Sequence, residues 1–183
     1  MREEWVVLVD EADRELGTAR KRDVHHAATP LHRAFSIFLF DAGGRTLLQR
    51  RALSKRTWPG VWSNACCGHP TLGETAAAAA HRRCREELGA TPRDLALVLP
   101  DFRYRAESGG VVENELCPVF AARLDDEPLA PDPAEVAATR WIDWARFLAE
   151  LPGEYSPWSA EEARRLAASP AFAAWRGAAA AAP

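Results

Sequence analysis

CCGHPTLGETAAAAAHRRCREELGA, residues 66–90, is the stretch from which the fold is read. It joins a loop bearing a thiol and an imidazole to a helix that ends on two adjacent carboxylates, Glu86 and Glu87. Thr71 and Glu74 have capping-box spacing, which predicts a helix start near Thr71. Gly89 suits the position just past a helix end. Ala77, Ala80 or His81, Cys84 and Leu88 recur every three or four residues and predict one small apolar face. Arg82 and Glu86, like Arg83 and Glu87, are one turn apart on an adjoining face. Read alone, this is an amphipathic helix with a solvated charged side.

The spacing says more. Gly68, Glu74, Arg82, Glu86, Glu87 and Gly89 together resemble the Nudix box. That resemblance implies an α/β fold, a Nudix-type α/β/α sandwich with a mixed sheet in a single compact domain. It also implies that the box glutamates hold magnesium against a diphosphate. One position departs from the pattern: the box arginine is usually followed by Glu, and here it is followed by Arg83. This charge reversal removes a metal ligand and adds a phosphate contact, which points to chemistry other than hydrolysis.

The chain of 183 residues suits one domain with a full core. We expect residues 1–176 to form that domain and 177–183 to be a flexible Ala-rich tail. A net charge of −3 gives no reason to expect nucleic acid or an anionic membrane as partner. No apolar run approaches a membrane span, and the N-terminal MREEWVVLVDEADRE has acids where a signal peptide has bases. A cytoplasmic protein is the expectation. Cys66, Cys67, Cys84 and Cys117 include no CxxC pair and are expected as reduced thiols.

Residues 5–10 read as a first strand, followed by a polar turn around Asp13 and Gly17. Residues 21–32 are polar and irregular and hold His25, His26 and His32; two of these with the later His69 make a candidate metal site. Residues 33–41, RAFSIFLFD, form an apolar strand, with RTLLQR as its hairpin partner. The segment RALSKRTWPGVW at 51–62 either covers core with its tryptophans or presents Arg51 and Lys55 to a phosphate. Residues 94–105 read as a strand bent near Pro100, and 111–124 as another. In it Glu113 and Glu115, two apart, share one face. Two acids on a mostly buried strand need water, a cation or a shared proton. A connection at 125–138 leads to a short strand at 139–142 and a helix over 143–150. LPGEYSPWS reads as a loop, EEARRLAAS as an amphipathic helix, and FAAWRGAAAAAP as a fraying end.

RRALSK at 50–55, WPGVW at 58–62, CGHP at 67–70, DFRYR at 101–105, ENELCPVFAAR at 113–123 and SPW at 156–158 occur in this order. With the modified box, the set resembles the type I isopentenyl-diphosphate isomerase family over roughly residues 5–158. The resemblance implies an enzyme of isoprenoid biosynthesis that interconverts isopentenyl and dimethylallyl diphosphate through a carbocation-like intermediate. Such a site needs an acid and a base on opposite faces of the alkene, a stabiliser for positive charge, and exclusion of water.

By this resemblance Cys67 and Glu115 are the acid/base pair, Tyr104 hydrogen-bonds Glu115, and Trp158 caps the pocket with its π-face toward the cation. His25, His32, His69, Glu113 and Glu115 are the implied ligands of a divalent metal, Mn2+, Mg2+ or Zn2+. A second ion, Mg2+, bridges the diphosphate to Glu87 and to the backbone carbonyl of Cys67. Lys21, Arg51, Lys55 and Arg83 are the implied diphosphate cations. The partner is a small-molecule prenyl diphosphate, with a monomer favoured. The competing reading is a Nudix hydrolase, which needs a further acidic metal ligand near Glu87, with Glu86 available. A silent diphosphate-binding domain has no use for the acid/base pair.

Overall fold

The computed structural model describes residues 4–124 and 128–180. The strands in chain order are β1 (Trp5–Val9), β2 (Glu15–Arg20), β3 (His32–Arg33), β4 (Phe35–Phe40), β5 (Arg45–Arg51) and β6 (Trp62–Ser63). They continue as β7 (Cys66–Gly68), β8 (Arg93–Leu99), β9 (Arg103–Ser108), β10 (Val111–Leu116), β11 (Val119–Arg123) and β12 (Val136–Asp143). The helices are α1 (Lys21–Val24), α2 (Ala76–Leu88), α3 (Trp144–Glu150), α4 (Pro157–Ala167) and α5 (Pro170–Ala180).

Two sheets result. One runs β2-β1-β3-β10-β9; the other runs β12-β5-β4-β11-β8, with β6 on β5 and β7 on β4. Pairing is parallel at β3–β10 and β4–β11 and otherwise antiparallel, so both sheets are mixed. The expected α/β/α sandwich is present around the second sheet. β4 is buried along its whole length, and its two faces serve different layers. Phe35, Ile37 and Leu39 pack with Ala80, Cys84 and Leu88 of α2. Phe38 and Phe40 pack with Trp144, Phe147, Leu166 and Phe172 of the C-terminal helices. Removing one such ring costs about 3–5 kcal/mol, since a close-packed core does not collapse into the gap.

The expected β4–β5 hairpin is joined only at Phe40–Thr46. Beyond that bridge the strands separate, and β6 and β7 fill the gap, pairing Gln49 with Ser63 and Ser36 with Cys67. Side chains across an antiparallel pair share a face, so Cys67 faces the C-terminal helices with Ser36, while Cys66 turns toward α2. β7 lies close to α2 because residue 68 is glycine: a Cβ there would stand 3.2 Å from both Arg83 Cγ and Phe35 Cε1.

Several boundaries differ from expectation. α2 starts at Ala76 with Thr75 as its cap, Thr75 Oγ1 accepting from Ala78 N at 3.2 Å. The Thr71–Glu74 pair closes the preceding turn instead, Thr71 N donating to Glu74 at 2.9 Å. Gly89 ends the helix at φ 65°, as expected, and donates its N–H to Arg85 O. The polar stretch around Gly17 is a strand, β2, because β1 offers it a full ladder. Residues 94–105 are two strands in different sheets. SPW opens helix α4, with Ser156 as cap and Pro157 in its first turn. The segment 170–180 is helical, with Phe172 buried; residues 181–183 of the expected tail, like 125–127 of the connection, lie outside the described residues.

Candidate active site

Between the two sheets lies a cavity of about 700 Å³. Cys67, Tyr104, Glu113, Glu115 and Trp158 line one part of it. Lys21, Arg51, Lys55, Arg83 and Glu87 line another, and His25 and His69 stand between. Of the expected site residues only His32 lies beneath the wall, fully buried.

Three chain segments build the imidazole cluster. His32 is placed by its parallel register with Glu115, His25 by the turn after α1, and His69 by the loop after β7. His25, His32, His69 and Glu115 each direct one ligand atom to a common point, all within 4.8 Å of one another. His69 Nε2 is 3.0 Å from Glu115 Oε1 and 3.3 Å from His32 Nε2. His25 Nε2 is buried with no hydrogen-bond partner. An unpartnered buried ring nitrogen aimed at two other imidazoles and a carboxylate fits a divalent cation. Three imidazoles favour a transition metal over an all-oxygen ion. Glu113 is outside this group of four.

Electrostatics within the cluster are uneven. Burial and the His32 charge push His25 down to about 4. Burial pushes His69 down to about 3, against the pull of Glu115. Burial works against charge on His32, but its hydrogen bond and attraction to Glu115 prevail and raise it. Burial likewise opposes charge on Glu115, yet hydrogen bonds from His32 and His69 hold it well below the carboxylate range. Of the three rings, His32 is the one on which Glu115 favours a proton.

Tyr104 differs from expectation. It stands directly across the ladder from Glu115, but its hydroxyl donates to Glu113 Oε2 at 2.9 Å. The imidazoles already occupy the near oxygen of Glu115, and Glu113, whose charge is disfavoured by burial and by Glu115, accepts the phenol instead. Trp158, 2% exposed, stacks on Tyr104 at 5.5 Å and 29°, with Trp58 edge-on at 5.2 Å. Arg51 lies over the same indole at 5.6 Å, so Trp158 borders both the acid/base groups and a cation.

The cationic end is crowded with carboxylates. Lys21 pairs with Glu4, and Lys55 pairs with Glu135. Arg83 is paired with Glu87 at 2.5 Å, Glu135 at 3.3 Å and Glu86 at 2.9 Å. Burial, reinforced by Arg51, Lys21 and Arg83, lowers Lys55 to about 8 despite Glu87. Such a cluster holds an anion well only when the carboxylates turn away or share a cation with it.

Sequence reasoning missed Glu135, Asn64, Ser36 and Glu162. Asn64 and Ser36 bracket the Cys67 sulfur at 3.2 and 3.3 Å. Two of the four have a legible signal: Ser36 is the lone polar residue inside FSIFLF, and Glu162 falls on the helical face of Trp158 and Leu166, at four-residue steps.

Comparison with known proteins agrees with this geometry. The NUDIX domain model matches residues 30–165. A Deinococcus radiodurans protein of known crystal structure superposes with a TM-score of 0.70 at 23% identity, covering 88% of this chain and 98% of that one. The fold and cavity thus define a Nudix-superfamily protein. An isopentenyl-diphosphate Delta-isomerase of Saccharopolyspora erythraea is 55% identical over 167 residues, 89% of this chain and 86% of that protein. Another, of Mycolicibacterium vanbaalenii, is 54% identical over 91% of this chain and 93% of its own length. The chain belongs to the isopentenyl-diphosphate Delta-isomerase family.

Proposed function

We propose that this protein interconverts isopentenyl and dimethylallyl diphosphate, with Cys67 and Glu115 exchanging protons with the alkene. The observation that carries the reading is a thiol and a carboxylate, Cys67 and Glu115, lining one cavity whose other end is cationic. Burial pushes the Cys67 thiol up, so it rests protonated, with Asn64 Oδ1 accepting its proton at 3.2 Å. Glu115 rests ionised. In the forward direction the Cys67 S–H bond breaks as the terminal methylene gains a proton, leaving tertiary cation character at the branched carbon. Glu115 then takes a proton from the neighbouring methylene, and those electrons form the internal double bond. The Trp158 face lies against the developing cation, and the aromatic wall keeps out water that would trap it.

Lys21, Arg51, Lys55 and Arg83 hold the diphosphate away from this chemistry. His25, His32, His69 and Glu115, with Glu113, would hold one divalent ion, and Glu87 with the Cys67 carbonyl would hold a magnesium ion; bound there, the ions would supply positive charge that favours ionised Glu115 and offsets the charge of the diphosphate. Arg83 occupies the place of a further metal ligand, so the site grips a diphosphate without directing water at phosphorus. The chain acts on a small prenyl diphosphate, and we read it as a cytoplasmic monomer; residues of one chain line the whole cavity, and among the described residues no helix is long and apolar enough to cross a membrane.

Proton NMR of isopentenyl diphosphate with the purified protein and magnesium in deuterated water tests the reaction. The expected result is the allylic isomer carrying deuterium. Release of inorganic phosphate or a monophosphate, with no dimethylallyl diphosphate formed, sinks it.

A further inference from the structure

Strand β5 serves two layers. Leu48 packs with the C-terminal helices, and Leu47 packs with α2. Gln49, two residues beyond Leu47, falls on the α2 face as well. The strand is flanked there by β12 and β6, with Gln49 opposite Thr139 and Ser63. A polar side chain thus stands where the pattern calls for an apolar one. It is 3% exposed and lines the cavity beside Glu87.

The carboxamide has a fixed sense. Its Nε2 is 3.5 Å from Glu87 Oε2, and a carboxylate only accepts, so the N–H end faces Glu87. Arg83 holds the other oxygen, Glu87 Oε1, at 2.5 Å. The carboxylate is gripped from both sides, and Gln49 Oε1 is left buried with no hydrogen-bond partner. Such an oxygen costs about 1–3 kcal/mol that leucine would not. Only a donor or a cation satisfies it. The side-chain cations nearby are directed elsewhere: Lys55 to Glu135, Arg51 to Thr57, Lys21 to Glu4, and Arg83 to Glu86, Glu87 and Glu135. A diphosphate does not serve, since its ionised oxygens only accept. What remains is a cation entering the cavity, with its water. Glu87 alongside offers that cation a carboxylate oxygen. Magnesium takes oxygen ligands and keeps several of its waters when bound by a carboxylate and phosphates.

We propose that Gln49 is a positioning residue for the magnesium ion at Glu87: its Oε1 accepts a hydrogen bond from a water on the ion, while its Nε2 steadies the Glu87 carboxylate. The inference rests on the reading of Glu87 as the magnesium residue and extends it to the water shell of that ion.

The experiment is a calorimetric titration of the protein, loaded with one equivalent of Mn2+ for the imidazole cluster, at a series of Mg2+ concentrations. The titrant is the equilibrated mixture of isopentenyl and dimethylallyl diphosphate, which adds no heat of net reaction. Wild type, Gln49→Leu, Gln49→Glu and Glu87→Gln are compared, and retained Mn2+ in each checks the fold. Gln49→Leu is expected to raise the Mg2+ concentration for half-maximal binding about tenfold, the worth of one hydrogen bond to a charged group. Gln49→Glu loses the N–H donor and keeps an acceptor, and it is expected to need no more Mg2+ than wild type. A wild-type Mg2+ requirement in Gln49→Leu overturns the proposal. So does a raised requirement in Gln49→Glu, which would make Gln49 a donor to Glu87 and nothing more. Glu87→Gln separates the two levels. A wild-type requirement in that variant overturns the reading of Glu87 itself, whereas a raised requirement there beside an unchanged one in Gln49→Leu overturns only the role of Gln49.

Discussion

The Tyr104 hydroxyl donates to Glu113 at 2.9 Å, although the residue directly opposite it in the ladder is Glu115. This contact divides two neighbouring carboxylates between two tasks. Glu115 is drawn into the imidazole cluster and stays ionised; Glu113, disfavoured as an anion, is held by a phenol. Tyr104→Phe keeps the ring that stacks on Trp158 and removes only the donor. We expect kcat to fall about 10–100-fold and the melting temperature to drop, since a buried acceptor is left short of a partner. Steady-state kinetics beside thermal unfolding checks it.

Cys67→Ala is expected to reduce turnover by about 10²–10⁴-fold, the usual worth of a general acid or base. Metal content is expected to match wild type, because the backbone carbonyl remains and the imidazole cluster is untouched. Elemental analysis of the same preparation used for kinetics separates a lost proton donor from a lost ion.

Binding of a divalent ion to the imidazole cluster is expected to release about one proton per ion at pH 7. His25 and His69, held down to about 4 and 3, are already neutral, and Glu115 is ionised. His32, raised by Glu115, is the group with a proton to lose. Calorimetric titrations in buffers of different ionisation enthalpy count the protons; a count of two or more contradicts the assigned protonation. Affinity is expected to fall as pH drops, since His32 then holds its proton more firmly.

Arg83→Ala removes a guanidinium from the cationic end and frees Glu87 of its 2.5 Å partner. We expect KM for isopentenyl diphosphate to rise by about tenfold or more, the usual cost of removing a charge-assisted hydrogen bond, with no phosphate release gained. Steady-state kinetics with a parallel phosphate assay checks both. Release of phosphate by this variant would revive the hydrolase reading.

Glu162 also makes a pH prediction for stability. Burial raises its folded value, so the unfolded chain ionises above about 4.5 while the native chain does not. The native chain then binds the extra proton, and its stability falls as pH rises through that window. Glu162→Leu lacks this liability. Its advantage in melting temperature over wild type is expected to be small near pH 4.5 and to widen as pH rises above it. A constant difference across this range would show that Glu162 is not held neutral.

Periodicity and spacing along the chain were enough for the helix of the box, the two-sided apolar strand β4, and the pairing of Glu113 with Glu115 on one face, because each depends on residues within a few positions of one another. The family resemblance carried by the motifs was enough to expect Cys67, Tyr104, Glu115, Trp158, three histidines and four cations together, and all of these but His32 line one cavity. The fold then decided what those members do to each other. β4 and β5 part after one bridge and admit β7, which brings Cys67 opposite Ser36, thirty-one residues away. Parallel pairing of β3 with β10 sets His32 beside Glu115, and α4 buries the Glu162 carboxyl. Local patterns record which face of an element is apolar. Hydrogen-bond partners and protonation depend on distances and burial between segments far apart in the chain, and these exist only once the two sheets and their helices have packed.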